Sequence, residues 1–480
     1  MYTKKNAERI EKLGIDENDL EFVSSYSPMI IGEMTESEVE DIVINSNVKS
    51  IDYDADVKIS VEDTDTMTMA NTASSAKVAA TAPSAQDLYV NIWKFAVNVD
   101  YTINTLGLKG EGLNVGLFDR SSVTKNHDEL KNTNITNLDK EYYYQDDHGE
   151  FCTRILAGSN GVVSKANVYT SNHGKYSYIS QIRMEDVQRG IESLINNNVT
   201  VISLSVNFTF DQSDYYGAIE KWCDYICNSS GVVMVFAAGN ESDKNILQGA
   251  AAYNVITVGG IDTKGTIDKS DDIFNPYTST ANNGNNACAK PDVEAPSANV
   301  FKKGGTSAAT PIVAGICAQI IEAKPTLAFY PQEVKAILMA SCDRKGKGGE
   351  SYTAGITAKE GSGVVNAKLA IEIVTTNRHL HGTWKNGSID KGVFYLKDRS
   401  PYYTKIACTW LVPASSASNT EIPNFSFSVS SNDGKAERTT NLPNSSAEMI
   451  VDNKMKYIAH LSLLRHDNGT SDVSYAIAWY

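Results

Sequence analysis

Cysteine is scarce and unpatterned in this chain: seven occur in 480 residues, at positions 152, 223, 227, 288, 317, 342 and 408. The number is odd, and the spacings fit neither a disulfide framework nor a set of zinc ligands. A reducing compartment is therefore expected, and neither a metal nor a cofactor is called for. Positive charge is outnumbered, with 43 Lys and Arg against 58 Asp and Glu, a net charge of −15 and a pI near 5.0. Such a balance argues against nucleic acid or an anionic membrane as a main partner. No uninterrupted run of eighteen apolar residues exists, so no membrane-spanning helix is expected. The opening MYTKKNAERIEKLGIDENDL lacks the apolar centre of a secretion leader. These absences lead to the expectation of a cytoplasmic protein, secreted only if a leader has been removed.

What the chain does contain is concentrated around Ser307. The stretch KKGGTSAATPIVAGICA delivers that serine from a small-residue turn onto the first turn of an apolar helix. A serine hydroxyl is a weak nucleophile and needs a base, a fixed geometry and donors for the developing oxyanion. Gly304 and Gly305 permit a backbone that larger residues resist, and Ala308 and Ala309 read as leaving room for a substrate. The helix N-terminus adds a partial positive charge where negative charge would form. A glycine-rich cap on an ordinary core helix would have the same look, so the partners decide. LNVGLFD, ending at Asp119, reads as a buried strand closed by a carboxylate. DDHGEFCTRILAG sets His148 just before an apolar helical run, and VVMVFAAGN is a second buried strand ending at Asn240.

The order Asp119, His148, Asn240, Ser307, together with the blocks GTSAATP and AAGN, resembles the subtilisin-like serine peptidases, or subtilases. The resemblance covers roughly Gly107 to Val374, including KPDVEAP and VKAILMAS. It implies that Ser307 attacks a peptide carbonyl, that His148 takes and returns the proton, and that Asp119 orients the imidazole. It gives Asn240 the role of oxyanion donor. Ser205-Val206-Asn207 and Ala237-Ala238-Gly239 become two backbone walls that hold an extended peptide as an added strand. Departures exist. Arg120 follows Asp119, Glu150 stands where a Thr is usual, Arg154 replaces a small Gly, and Asn207 replaces a Gly and would narrow the pocket entrance. Arg154 is expected to pair with Glu150 one turn away. His381-Gly382-Thr383 copies the histidine block out of order and reads as a surface turn.

Four regions follow. Residues 1–60 form a small α/β prodomain-like unit: FVSSYSPMIIGEM as strand, TESEVEDIVINS as a helix with a Thr35–Glu38 capping box, and VKSIDYDADVKIS as strand. Residues 61–86 are a linker and candidate processing region, since fifteen of the 22 residues from Thr64 to Ala85 are Ala, Ser or Thr. Residues 87–377 alternate apolar strands with helices, which specifies an α/β parallel-sheet catalytic domain. Residues 378–480 read as short alternating strands, hence a β-sandwich. The expected function is a serine endopeptidase, possible as a zymogen, acting on protein or peptide substrates, with its own N-terminal segment as inhibitor. The alternatives are a catalytically silent subtilase fold acting as a binding or regulatory protein, and an adhesion protein built around the sandwich.

Overall fold

The computed structural model describes most of the chain. Outside the description lie mainly residues 49–57, 61–84, 140–146, 173–183, 210–215, 281–288, 347–355, 386–389, 393–402 and 414–421, with shorter gaps within 36–47, 243–248 and 432–457. The N-terminal unit opens on helix α1 (Tyr2–Leu13), where no strand or helix was anticipated, followed by strands β1 (Leu20–Val23), β2 (Ile30–Gly32) and β3 (Lys58–Ser60). The stretch FVSSYSPMIIGEM, read as one strand, is an antiparallel hairpin instead, with Val23 opposite Ile30. Its turn is tied down by Asn6 of α1, whose amide donates to the Ser24 and Ser27 carbonyls at 2.8 and 2.9 Å. At the capping box, the Thr35 N–H donates to Glu38 at 2.7 Å and the Glu38 N–H donates back to the Thr35 hydroxyl at 3.4 Å.

The central unit is an eight-stranded sheet made of β4 (Asn114–Asp119), β5 (Asn134–Asn137), β6 (Asn167–Asn172), β7 (Val201–Leu204), β9 (Val233–Ala237), β10 (Ile256–Asp262), β11 (Ile273–Phe274) and β12 (Val293–Pro296). A short strand β8 (Asn207–Thr209) stands apart from it and pairs with β3. The main path runs β11-β10-β9-β7-β4-β6-β5, with β12 beside β10, and only β11 is antiparallel. The helices are α2 (Ala85–Ala96), α3 (Val99–Asn104), α4 (His148–Ala157), α5 (Met184–Asn196), α6 (Ala218–Ser230), α7 (Thr306–Ala323), α8 (Pro331–Ala340) and α9 (Ala367–Thr375). β7 and β9 are buried along their whole length, as parallel strands covered on both faces must be.

Helix α7 is buried from Thr306 to Ile321, which explains why its sequence is apolar all round. It is also long and apolar enough to cross a membrane by length and composition, but here it runs through the protein core. Ala308 and Ala309 are packed in that core, so they do not open space for a substrate as the sequence suggested. Their smallness lets the helix approach the sheet. A second buried feature anchors this half. The Asp292 carboxylate lies between Lys290 and Lys335, at 2.7 and 2.9 Å, and accepts the Thr257 N–H at 2.8 Å. Burial alone would raise the Asp292 pKa, but the two ammonium groups outweigh it and hold the carboxyl below its usual range.

The C-terminal strands are β13 (His379–Trp384), β14 (Asp390–Gly392), β15 (Tyr403–Trp410), β16 (Phe425–Ser431), β17 (Glu437–Leu442), β18 (Ser446–Asp452), β19 (Ile458–Arg465) and β20 (Val473–Trp479). They form two antiparallel four-stranded sheets, β13-β20-β15-β18 and β14-β19-β16-β17. Alternation along β15 sends Ile406, Cys408 and Trp410 between the sheets, where the Trp410 and Phe425 rings meet at 5.3 Å. The opposite face, Lys405, Ala407 and Thr409, turns to the central unit. Ala407, Ala476 and Ala478 belong to the same core as α7, and the Lys405 ammonium donates to the Cys342 and Ser362 carbonyls at 3.2 and 2.7 Å. One sheet of the sandwich is therefore covered on both faces. β17 carries no strong apolar alternation and was not anticipated. His381-Gly382-Thr383 is not a surface turn: it lies in β13, paired with β20, and the His379 and His381 rings both bond Glu333 of α8 at 2.6 Å.

Candidate active site

Asp119 ends β4, and its carboxylate is fully buried. Both oxygens face the His148 Nδ1, at 2.8 and 3.0 Å, and Oδ1 also accepts the Arg120 N–H at 2.8 Å. A carboxylate can only accept, so Nδ1 must carry the hydrogen, and Nε2 is left as the basic nitrogen. His148 is the first residue of α4, and its neighbour explains how that helix start is seated. The Gly149 N–H donates to the Ser121 hydroxyl at 2.8 Å, and a Cβ on Gly149 would lie 2.6 Å from the Ser121 carbonyl oxygen. Glycine is required there by close approach.

The flanking departures resolve differently from the sequence expectation. Arg154 does not pair with Glu150. Its Nε donates to Glu129 at 2.7 Å, while its guanidinium sits 4.6 Å over the Phe301 ring, which meets Trp93 edge-on at 5.9 Å. Glu150 instead accepts from the Thr124 hydroxyl and from the Thr124 N–H at 3.0 Å, holding the loop that follows Asp119. Both side chains therefore serve the scaffold of the site. The Asn207 side chain lies outside the described side chains.

Ser307 is the second residue of α7 and is 7% exposed. The turn before it needs Gly305 at φ +93°, a conformation that L side chains rarely adopt. Pro311 has a specific consequence. In a regular helix its N–H would donate to the carbonyl four residues back, which is that of Ser307, and proline has none. The Ser307 carbonyl is thus left to other donors, the Ser205 hydroxyl at 3.0 Å and the Cys152 thiol at 3.6 Å. The Ser307 hydroxyl donates to the Ser205 carbonyl at 3.3 Å. The Ser307 side chain and backbone are in this way both fastened to Ser205.

Asn240 follows Ala237-Ala238-Gly239, the second wall expected from the sequence, just after the end of β9. Its Oδ1 accepts from the Thr306 N–H at 2.8 Å and from the Thr306 hydroxyl at 3.1 Å, and the same hydroxyl accepts the Gly239 N–H at 3.2 Å. A backbone N–H can only donate, so the oxygen of the Asn240 amide must face Thr306, and the NH₂ points the other way. Cys152 lies one helical turn after His148. Its Sγ is 3.9 Å from Nδ1, and Asp119, His148 and Cys152 form the one cluster among the described residues with ligand atoms within 4.8 Å of each other. Burial pushes the Cys152 pKa up, so it remains a neutral thiol.

Two contacts tie the N-terminal unit to this site. β3 is antiparallel to β8, with Lys58 opposite Thr209, Ile59 opposite Phe208 and Ser60 opposite Asn207. The β1–β2 hairpin sits on α5, where Glu192 accepts from the Ser24 hydroxyl and from the Ser25 N–H at 3.0 Å, and Tyr26 donates to Asn196 at 2.7 Å. Neither contact was legible in the sequence, because each joins segments far apart along the chain. The candidate processing region, 61–86, falls almost wholly outside the described residues.

The sequence profile of the subtilase family matches residues 54–361. The thermostable alkaline protease of Halalkalibacterium halodurans is 23% identical over 346 residues, covering 66% of this chain and 80% of that protein. The serine protease AprX of Bacillus subtilis is 26% identical over 308 residues, covering 53% of this chain and 67% of its own. Among solved structures, the epidermin leader peptide processing serine protease EpiP of Staphylococcus aureus aligns with a TM-score of 0.51 at 18% identity. That alignment covers 77% of this chain and 96% of EpiP. With the family profile spanning well over half its length, the chain belongs to the subtilase family and is a subtilisin-like serine peptidase.

Proposed function

We propose that the protein is an endopeptidase that cleaves through an acyl-enzyme, with Ser307 as nucleophile, His148 as general base and acid, Asp119 as its orienting partner, and Asn240 as oxyanion donor. The observation that carries this reading is the pair of short contacts from Asp119 to His148 Nδ1, which fixes the tautomer a base needs. Ser307 adds to the peptide carbonyl and its proton passes to His148. The imidazolium so formed is stabilised by Asp119 and returns the proton to the leaving amine. Water then repeats the sequence on the ester. The Asn240 amide, held at its oxygen by Thr306, stabilises the tetrahedral oxyanion together with the Ser307 N–H.

Asn240→Ala should therefore lower kcat by about 10²–10³, a figure that comes from a subtilisin, a member of the same family. KM should change little, because the donor acts mainly on the transition state. Steady-state kinetics on a peptide substrate check this, and a change confined to KM would make Asn240 a binding residue.

The pH dependence has a definite sign. Burial lowers the His148 pKa, but the Asp119 charge and hydrogen bond and the nearby Cys152 sulfur together outweigh it and hold the imidazole well above the usual histidine value. Only the neutral base is active, so the acid limb of kcat/KM should lie above the ordinary histidine range of about 6.5. Asp119→Asn should move that limb toward acid while reducing kcat. In stability the same shift works the other way: the imidazolium contribution is complete below the unfolded-state pKa and is lost as pH rises through the folded value.

The N-terminal unit reads as an internal inhibitor. An exposed strand edge takes an extended peptide by backbone pairing, and β8, directly after the wall Ser205-Val206, already carries β3. A substrate chain would compete for the same edge.

A further inference from the structure

We propose that the turn Val300–Lys303 is a clasp that positions the nucleophile, with Phe301 as its positioning residue and Arg154 as the group that grips it. The inference rests on the peptidase reading above and adds a residue which that reading does not use. The chain between β12 and α7 closes on itself before it delivers Ser307. The Gly305 N–H donates to the Ser297 carbonyl at 2.7 Å, and inside that closure Val300 and Lys303 exchange N–H to carbonyl bonds at 3.0 Å each. The tip is therefore a two-residue turn, Phe301-Lys302, with φ of +50° and +69°. Positive φ at both central residues is what a type I′ turn requires, and Asn-Gly is its favoured pair. Phe and Lys are held there against their own preference, and such a backbone persists only where its surroundings fix it.

What fixes it is the helix that begins at His148. The Arg154 guanidinium of α4 lies 4.6 Å over the Phe301 ring, and Glu129 orients it by accepting from its Nε at 2.7 Å. Trp93 of α2 meets the same ring edge-on at 5.9 Å, which leaves Phe301 only 9% exposed. Lys303, on the other side of the tip, donates to Asp147, the residue before α4, at 2.6 Å and lies 5.5 Å from the Phe151 ring. The Asp147 carboxylate is open to solvent, and such exposed pairs contribute little. The Phe301–Arg154 contact is largely buried, where a cation over a ring is worth more, so it carries the clasp.

The consequence is for geometry at the reacting centre. Gly304 and Gly305 link the turn to Thr306 and Ser307, and glycine restricts a backbone least of all residues. With the turn anchored on α4, the segment that carries Ser307 is tied to the helix that carries His148. Attack requires the reacting atoms at roughly 3–3.5 Å, and a displacement of about 1 Å can cost about 10²-fold in rate. An Asn-Gly tip would form the turn more readily but would offer Arg154 no ring. The ring, not the turn itself, therefore makes the connection.

The test compares purified full-length chains by kcat and KM on a peptide substrate and by the rate of fluorophosphonate labelling at Ser307. Circular dichroism melts show which variants fold. Phe301→Leu keeps apolar bulk without the ring and should lower kcat and the labelling rate by about 10²-fold, with KM nearly unchanged. Phe301→Asn combined with Lys302→Gly eases the turn and should be equally slow; it carries the comparison if Phe301→Leu does not fold. Phe301→Tyr keeps the ring and should match wild type. Arg154→Met should cause the same loss, and adding it to Phe301→Leu should cause no more, because both remove one contact. Wild-type rates without the ring, a change confined to KM, Phe301→Tyr as slow as Phe301→Leu, or losses that multiply in the combined variant overturn the clasp. Wild type labelled at Ser307 leaves the peptidase reading standing in each of those cases. A wild-type chain that does not label removes both.

Discussion

Ser307→Ala should abolish fluorophosphonate labelling and reduce peptide hydrolysis by about 10⁶-fold in kcat, while leaving the fold unchanged. The magnitude is that of removing the nucleophile from a subtilisin, a relative within this family, and is carried over from it. The reason for expecting so large a loss is the way the parts act as a unit. In the proposed mechanism His148 takes the proton of the Ser307 hydroxyl, so without that hydroxyl it has no nucleophile to activate, and residual catalysis comes from the oxyanion site and binding alone. The fold should survive because the Ser307 contacts that seat the helix run through its backbone carbonyl, to Ser205 and Cys152, and not through its hydroxyl. Thermal denaturation of both proteins checks that point. Labelling that persists at another serine would remove the assignment, and a wild-type chain that does not label at all would favour the silent-fold alternative.

Truncation after Asn377 should prevent folding. The sandwich is joined to the central unit by a buried seam, in which Lys405 reaches the Cys342 and Ser362 carbonyls and Thr409 donates to the Gln332 carbonyl. Ala407, Ala476 and Ala478 sit in the same core as α7. Without this sheet, Glu333 of α8 loses His379 and His381, which bond it and leave it nearly unexposed. Breaking one buried ion pair costs about 3–5 kcal/mol, against a total stability of about 5–15 kcal/mol for a native protein. Deleting the seam strips the Glu333 carboxylate and the Cys342, Ser362 and Gln332 carbonyls of their partners and uncovers apolar core, a combined loss expected to exceed that margin. A milder variant keeps the test readable: Lys405→Met leaves Glu448 buried and without its ammonium, now 3.3 Å away, and should lower stability by about 3–5 kcal/mol. Circular dichroism melts and size-exclusion chromatography decide. A truncated chain that is monomeric and labels at the wild-type rate would make the sandwich a detachable module, as the adhesion alternative requires.

Much of this was legible in the sequence, for reasons that particular residues make plain. Short motifs with strict backbone demands carry their geometry with them. Gly305, just before Ser307, is such a case: its φ of +93° is a conformation that few other residue types adopt. The buried strands ending at Asp119 and Ala237 announce themselves because a parallel strand covered on both faces must be apolar throughout. The sandwich core is equally visible in the alternation of Ile406, Cys408 and Trp410.

What only the tertiary structure decided depends on pairings between distant segments, on which a sequence pattern is silent. Arg154 has Glu150 one turn away, yet it turns to Glu129 and Phe301, because the loop after Asp119 claims Glu150 first. His381-Gly382-Thr383 looks like an exposed turn until α8 brings Glu333 beneath it and Tyr330 stacks on its ring at 3.9 Å. The face of β15 that carries Lys405 and Thr409 is polar in sequence, yet it is buried because a helix from another part of the chain covers it. The seating of β3 on β8 belongs to the same class. Backbone hydrogen bonds pair any two extended segments alike, so which strand meets which, and in what register, is settled only when the whole chain has packed.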